Sequence, residues 1–158
     1  MASRRRQILE AGFARLEAIL IASGFNTNAG QSVLLNETPE LGQDDPDVVI
    51  AMLIGDDEPK QQGNKVFLEL PIELQAIAKV AKPDVPADDW HPWIAVEDLL
   101  EDIKRAWELD DRSLGGLLSC EMERGVTRTA EREAGSTTVG LAITYSLRYS
   151  ERWGQPEL

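Results

Sequence analysis

The residue types that most often carry catalysis are scarce in this chain. It contains one histidine, His91, and one cysteine, Cys120, so neither an internal disulfide nor a zinc site built from several such ligands is expected. His91 precedes Pro92 at the predicted start of a helix, where we interpret it as a surface or capping residue. Cys120 alternates with Leu118 and Met122, a pattern that predicts a small residue of the hydrophobic core.

Carboxylates are abundant, but they are not arranged as a recognisable metal or acid–base site. Asp44, Asp45 and Asp47 lack the glycine and the final glutamate of an EF-hand loop. The four carboxylates between Glu97 and Asp102 lie on the predicted outer surface of a helix, where a solvated face is the simpler interpretation. No phosphate-binding loop and no dinucleotide motif is present. The sequence therefore predicts no enzyme active site, no metal and no cofactor.

The net charge excludes one large class of function. The chain has 16 basic and 28 acidic residues, a net charge of −12, which is unsuited to general binding of a phosphate backbone. No apolar run approaches the ~20 residues that a membrane helix needs, and charges interrupt the first apolar segment, so no signal-peptide core is predicted. We expect a protein that acts where it is made and does not bind a membrane.

Two helices are predicted from apolar residues at helical spacing. The first covers about residues 3–23, with Ser3 as its N-cap and Gly24 as its left-handed stop. The second begins near Pro92 and ends near Leu109. Its predicted buried stripe consists of Trp93, Val96, Leu99, Leu100, Ile103 and Trp107.

Three strands are predicted between these helices. Val33–Leu35 is short, and residues 47–54 form an apolar run without alternation, so both faces of that strand should be covered. Residues 66–80 alternate strictly between two sets of side chains, which predicts a long strand with one buried face. Pro71 within it predicts a bulge or an edge position, because proline cannot donate a ladder hydrogen bond.

The remaining residues predict a β-hairpin. A turn near residues 134–135 joins the apolar sides of both arms into one face. The register that does so pairs Met122 with Leu147, Val126 with Ile143, and Ala130 with Val139. The predicted fold class is α+β: a mostly antiparallel sheet of about five strands with two main helices, in the order helix, three strands, helix, two strands. We expect one domain over residues 1–158, with flexible loops at 55–64 and 124–135.

Short segments in this order resemble a family of bacteriophage proteins. They are Asp102-Ile-Lys-Arg-Ala106, then Ser113-Leu-Gly-Gly-Leu117, then Tyr145-Ser-Leu-Arg-Tyr149 in the closing hairpin. The chain resembles the tail terminator, or tail completion, proteins of long-tailed phages (the minor tail protein U-like group). The resemblance covers most of the chain in element order, although the motifs are structural and short.

The resemblance implies a structural role without catalysis or cofactor. Members of this family form a ring, expected to be hexameric, on the head-proximal end of the tail tube, where they stop tube polymerisation. The implied partners are other copies of the chain, the tail tube protein and the head connector proteins, while DNA passes through the lumen without specific binding. The protein would be found in the host cytoplasm during assembly and then in the virion tail; dissolved alone, it can be monomeric.

Candidate contact residues are charged or aromatic side chains at predicted loops and ends. A ring requires two different patches on each subunit, and tryptophan is enriched at interfaces. The predicted interface residues are Arg4, Arg5, Arg6, Asp57, Lys60, Trp90, Arg124, Arg128, Arg132 and Trp153. Two alternatives stay open: another head–tail connector component, and a cytosolic α+β domain that binds a small ligand in an apolar pocket. A metal-dependent enzyme using the acidic residues is a further alternative.

Overall fold

The computed structural model describes residues 2–41, 46–80, 91–108, 113–133, 136–152 and 154–155. Its helices and strands are α1 (Arg4–Glu17), β1 (Val33–Leu35), β2 (Val48–Ile54), β3 (Glu58–Gln62), β4 (Lys65–Val80), α2 (His91–Glu108), β5 (Cys120–Glu133) and β6 (Ser136–Arg152). One six-stranded sheet has the order β1-β2-β4-β6-β5, and β3 also pairs with β4. The predicted α+β class is confirmed, with one strand more than expected. Neither described helix is long and apolar enough to cross a bilayer.

The first helix is shorter than its apolar pattern predicts. Ser3 is the predicted N-cap, and its hydroxyl accepts a hydrogen bond from the backbone N–H of Arg6 at 3.3 Å. The helix ends at Glu17, and a 3-10 turn over Ile21–Ser23 follows, which Gly24 closes at φ +88°. The carbonyl of Ile19 accepts instead from the N–H of Gly30 at 2.8 Å. A contact with a later loop thus replaces the continued helix.

The long alternating segment forms the predicted strand, β4. It pairs with β6 over its whole length, from Lys65 opposite Arg152 to Val80 opposite Thr137. Its other edge is shared by β2, which pairs up to Ile72, and by β3, which begins opposite Glu69.

Pro71 lies at the junction between those two neighbours. The expected bulge or outer-edge position is wrong, because Pro71 stays in continuous register with β6. Its carbonyl accepts from the N–H of Gly55 at 2.9 Å, just where the neighbouring chain passes from β2 to β3. The N–H and C=O of a strand residue point to the same side, so the missing donor of Pro71 faces this gap in the ladder.

The two segments predicted as flexible loops contain strands. Residues 58–62 are β3, joined to β4 through Gly63 at φ +65°, and residues 124–133 belong to β5. Gly63 can adopt this left-handed conformation because it has no Cβ. Polar composition suggested loops, but edge strands with two solvated faces are polar as well.

The register of the closing hairpin is predicted correctly in its distal part only. Two predicted pairs are confirmed: Val126 with Ile143 and Ala130 with Val139. The third is wrong, since Met122 lies opposite Ser146 and not Leu147. A β-bulge at Arg124 adds one residue to β5, which shifts the pairing of everything before it. The predicted turn at 134–135 lies outside the described residues.

Both helices contribute to one core, built on a single face of the sheet. From α2 the buried apolar residues are Val96, Leu99, Leu100, Ile103 and Trp107, as predicted. Trp107 stacks on Tyr145 of β6, with ring centroids 5.4 Å apart. The prediction that Trp93 belongs to this buried stripe is wrong, because its side chain is 44% exposed. It lies in the first turn of α2, where the helix has not yet reached the core.

Asp102 corrects the interpretation of the α2 carboxylates as a solvated face. Its side chain is fully buried. It accepts hydrogen bonds from the backbone N–H of Asn26 and from both the N–H and the hydroxyl of Thr27, each at 2.8 Å. This carboxylate therefore ties the loop after α1 to the middle of α2.

Replacing Asp102 with alanine should destabilise the fold by about 3 kcal/mol, because two backbone donors and a hydroxyl lose a charged acceptor. Urea unfolding followed by circular dichroism measures this change. Asp98→Ala, one turn earlier on the same helix, is the matched control and should change the free energy of unfolding by less than about 0.5 kcal/mol. Equal effects of the two substitutions would contradict a structural role for the Asp102 hydrogen bonds.

Candidate interaction surface

The side of the sheet opposite the helices is called the open face here. Alternate residues of β4 point to it and are partly or fully exposed: Phe67, Glu69, Pro71, Glu73, Gln75, Ile77 and Lys79. Near β2 this side is covered, since Val49 and Ala51 are buried and Pro39, from the loop after β1, lines a groove with Gln75. Both faces of β2 are therefore covered, as predicted, while the β3 end stays accessible.

Glu69 is the centre of a polar cluster on the open face. Its Oε1 accepts hydrogen bonds from the Arg124 guanidinium at 2.8 Å and from the Ser146 hydroxyl. Its Oε2 lies 3.4 Å from Nε of Arg148. One carboxylate thus joins three strands, because Glu69 belongs to β4, Arg124 to β5, and the other two residues to β6.

The register and the bulge explain why these side chains meet. Glu69 lies directly opposite Arg148 in the β4–β6 ladder, so their side chains share a face. Arg124 is the extra residue of the β5 bulge, and bulges re-aim side chains in this way. Its guanidinium reaches across β6 to Glu69.

The cluster holds Glu69 in its ionised form. The hydrogen bond from Ser146, followed by that from Arg124, lowers the pKa of Glu69 to about 2. Arg148 and the charge of Arg124 act in the same direction. This carboxylate is therefore a fixed anion over the physiological range and not a candidate proton donor.

A shallow groove of about 270 Å³ lies beside this cluster. Its wall includes Lys60 of β3, Phe67 of β4 and Arg148 of β6. Phe67 is 41% exposed although it is a large aromatic residue. Exposed aromatic area next to arginine is typical of protein–protein contacts.

Other predicted interface residues form a second cluster, on the helix side of the sheet. Nε of Arg5 lies 3.0 Å from Oδ2 of Asp57, which also accepts from the Tyr149 hydroxyl at 3.2 Å. Burial, together with the charge of Asp57, raises the pKa of Tyr149 above its usual range. These contacts fasten the start of α1 to the loop between β2 and β3.

The remaining predicted residues are also engaged within the fold or lie outside its description. Arg4 donates to the carbonyl of Leu117 at 3.4 Å. Arg6 pairs with Glu10 at 2.6 Å, and Arg128 with Glu97 of α2 at 2.5 Å. Outside the described residues lie Trp90, Trp153 and the side chains of His91, Cys120 and Arg132. The predicted residues whose side chains are described thus lie on two sides of the sheet, and among them Lys60 and Arg124 lie on the open face.

Glu69, Ser146 and Arg148 are missing from the sequence-based interface. Glu69 belongs to the exposed set of the alternating segment, but its partners depend on the β4–β6 register. That register joins residues far apart in the chain and has no local signal. An alignment of β4 with β6 that places their apolar residues on one face would have offered Glu69 opposite Arg148 as one candidate pair.

Comparison with known proteins adds no assignment: no family model and no characterised protein matches the chain. Within the described ranges, no group of three or more histidine, cysteine, aspartate or glutamate residues is placed to hold a metal ion. The features that remain for interpretation are the open face, the sheet edges and the grooves beside them.

The lowered pKa of Glu69 makes its cluster sensitive to acid. The cluster stabilises the fold fully above the ordinary glutamate value of 4.5, and this contribution is lost as pH falls toward about 2. A carboxyl-detected NMR titration should place the Glu69 midpoint near 2 in the wild type and closer to 4.5 in Ser146→Ala or Arg124→Gln. Arg128→Gln removes a β5 arginine that binds Glu97 and should leave this midpoint unchanged. A wild-type midpoint near 4.5 would contradict the cluster.

Proposed function

We propose that this chain is a structural assembly protein that caps a phage tail tube, ends its polymerisation and joins the tail to the head. The observation that carries the proposal is the one-sided architecture: the helices and core lie on one face of the sheet, while exposed Phe67 and the partly exposed Glu69 cluster lie on the other. A protein that works by contact needs such an ordered surface. The short motifs described above give the phage assignment.

The strand order supports assembly into a closed ring. On one side the sheet ends in β1 and, farther along β4, in β3, and on the other side it ends in β5, so β3 and β5 give each subunit two different edges. Contacts between unlike patches join subunits head to tail, and they close into a ring when the rotation between neighbours allows it. We infer a homo-oligomeric ring, expected to be hexameric, that contacts the tail tube protein and head connector proteins.

The net charge supports passage of DNA without binding. Each copy carries −12, so a hexamer multiplies an already strong negative field around its channel. An acidic channel wall neutralises no DNA phosphates, so DNA binding to it would release no counterions and gain no affinity from that source. Repulsion between like charges would also keep the DNA from adhering as it passes through. In this proposal the protein contributes surfaces to the assembly and no catalysis.

Electron microscopy of tails assembled with and without the protein tests this role. Tails lacking it should show tubes of uncontrolled length, and adding the wild-type chain should restore uniform tubes. Phe67→Asp should fail to restore them, because a carboxylate replaces the exposed aromatic ring of the open face. Trp93→Asp is the matched control: Trp93 is exposed to 44% and Phe67 to 41%, but Trp93 lies on the helix side, so this variant should cap normally.

Uniform tube lengths without the protein would overturn the terminator role. Normal capping by Phe67→Asp would instead exclude the open face as the contact surface. Circular dichroism of both variants checks that the fold is retained.

A further inference from the structure

A second accessible feature is an apolar groove on the helix side, between α1 and the edge strand β1. Its volume is about 280 Å³, and its walls are Leu9 and Phe13 of α1 and Leu35 of β1, with Met52 of β2 at its base. Leu35 is 49% exposed. An aliphatic side chain left open on an edge strand gains free energy when another apolar group covers it.

The backbone beside this groove is also available. No described strand pairs with the outer edge of β1. The bonds from Ile50 to Ser32 and from Asn36 to Met52 show that even-numbered residues of this segment face β2. Val33 and Leu35 therefore turn their N–H and C=O groups outward, where an added strand can bond to them.

The groove has the length of a short extended peptide. It runs along α1 from Leu9 to Glu17, which is about 12 Å at 1.5 Å per helical residue. Three or four residues of extended chain span about 10 to 13 Å, and β1 itself has three residues. Leu35 lies opposite Met52 in the ladder, so alternate side chains of an added strand would point into the groove.

The two ends of the groove carry carboxylates. Glu10 is paired with Arg6 at 2.6 Å, whereas Glu17 makes no ion pair within the described part of the chain. An occupant with a cation beside its apolar residues would complement Glu17.

We propose that this groove binds an extended segment of a different protein, which adds as a strand to β1 and carries apolar residues flanked by lysine or arginine. Main-chain bonds to Val33 and Leu35 supply affinity, and the apolar pocket with Glu17 supplies selectivity. This surface is separate from the open face and from the β3 and β5 edges, so the inference does not depend on the proposed ring.

Selection from a surface-displayed library of short random peptides against the intact protein tests this proposal. Recovered peptides should share alternating apolar residues and an excess of lysine and arginine. Fluorescence anisotropy with a synthetic copy of the strongest binder should show at least a tenfold loss of affinity for Leu35→Asp, since a charge then blocks the pocket. Glu17→Lys should lower affinity about fivefold, and this difference should shrink in high salt.

Glu40→Lys makes the same charge change at an exposed glutamate outside the groove lining and should leave affinity within twofold of the wild type. Equal affinities for Glu17→Lys and Glu40→Lys would overturn the proposal, as would a library that yields no binder or only acidic ones. Sedimentation measures the oligomeric state separately. If the wild type is an oligomer and Leu35→Asp dissociates it, a second copy of this chain occupies the groove, and the proposal of a basic segment from a different protein is overturned.

Discussion

The continuous pairing of β4 with β6 is the constraint on which the rest of this structure depends. It brings two long alternating strands into a single register from Lys65 opposite Arg152 to Val80 opposite Thr137. Their apolar sets then form one surface for the helices, and their polar sets form the open face. β2 and β3 share the far edge of β4, and β5 occupies the far edge of β6. A shift by one residue would exchange the two faces and remove both the core and the Glu69 cluster.

Local periodicity was enough to predict most elements, because each pattern depends on neighbours in the chain. The alternation of residues 66–80 predicts β4, and Ser3 predicts the start of α1. Non-local effects account for the errors. The buried position of Asp102 depends on donors from Asn26 and Thr27, which are far away in sequence. The exposure of Trp93 reflects where α2 meets the sheet, and helical spacing alone does not contain that information.

The candidate site was harder to predict from the sequence than the fold was, again because it depends on contacts between residues far apart in the chain. Sequence reasoning selected charged residues one by one, while the structure joins several of them into internal pairs, such as Arg5 with Asp57. Arg124 is a further example, since the β5 bulge directs it to Glu69. What sets the open face apart is the juxtaposition of exposed Phe67 with a fully paired carboxylate. That combination supports an assembly role, whereas the acidic-edged groove at β1 suits a partner of opposite charge.

The placement of β6 after α2 and β5 also governs when the centre of the sheet can close during translation. β4 ends at Val80 and β6 begins at Ser136. A ribosome takes about 3 to 11 s to synthesise the stretch between them at 5–20 residues per second. During that interval one edge of β4 has no partner, although β2 and β3 can already pair with the other. Such a long-range closure also gives a high contact order, which slows folding. The nascent chain therefore exposes an unpaired strand edge for seconds, and in this interval it is most vulnerable to aggregation and most in need of a chaperone.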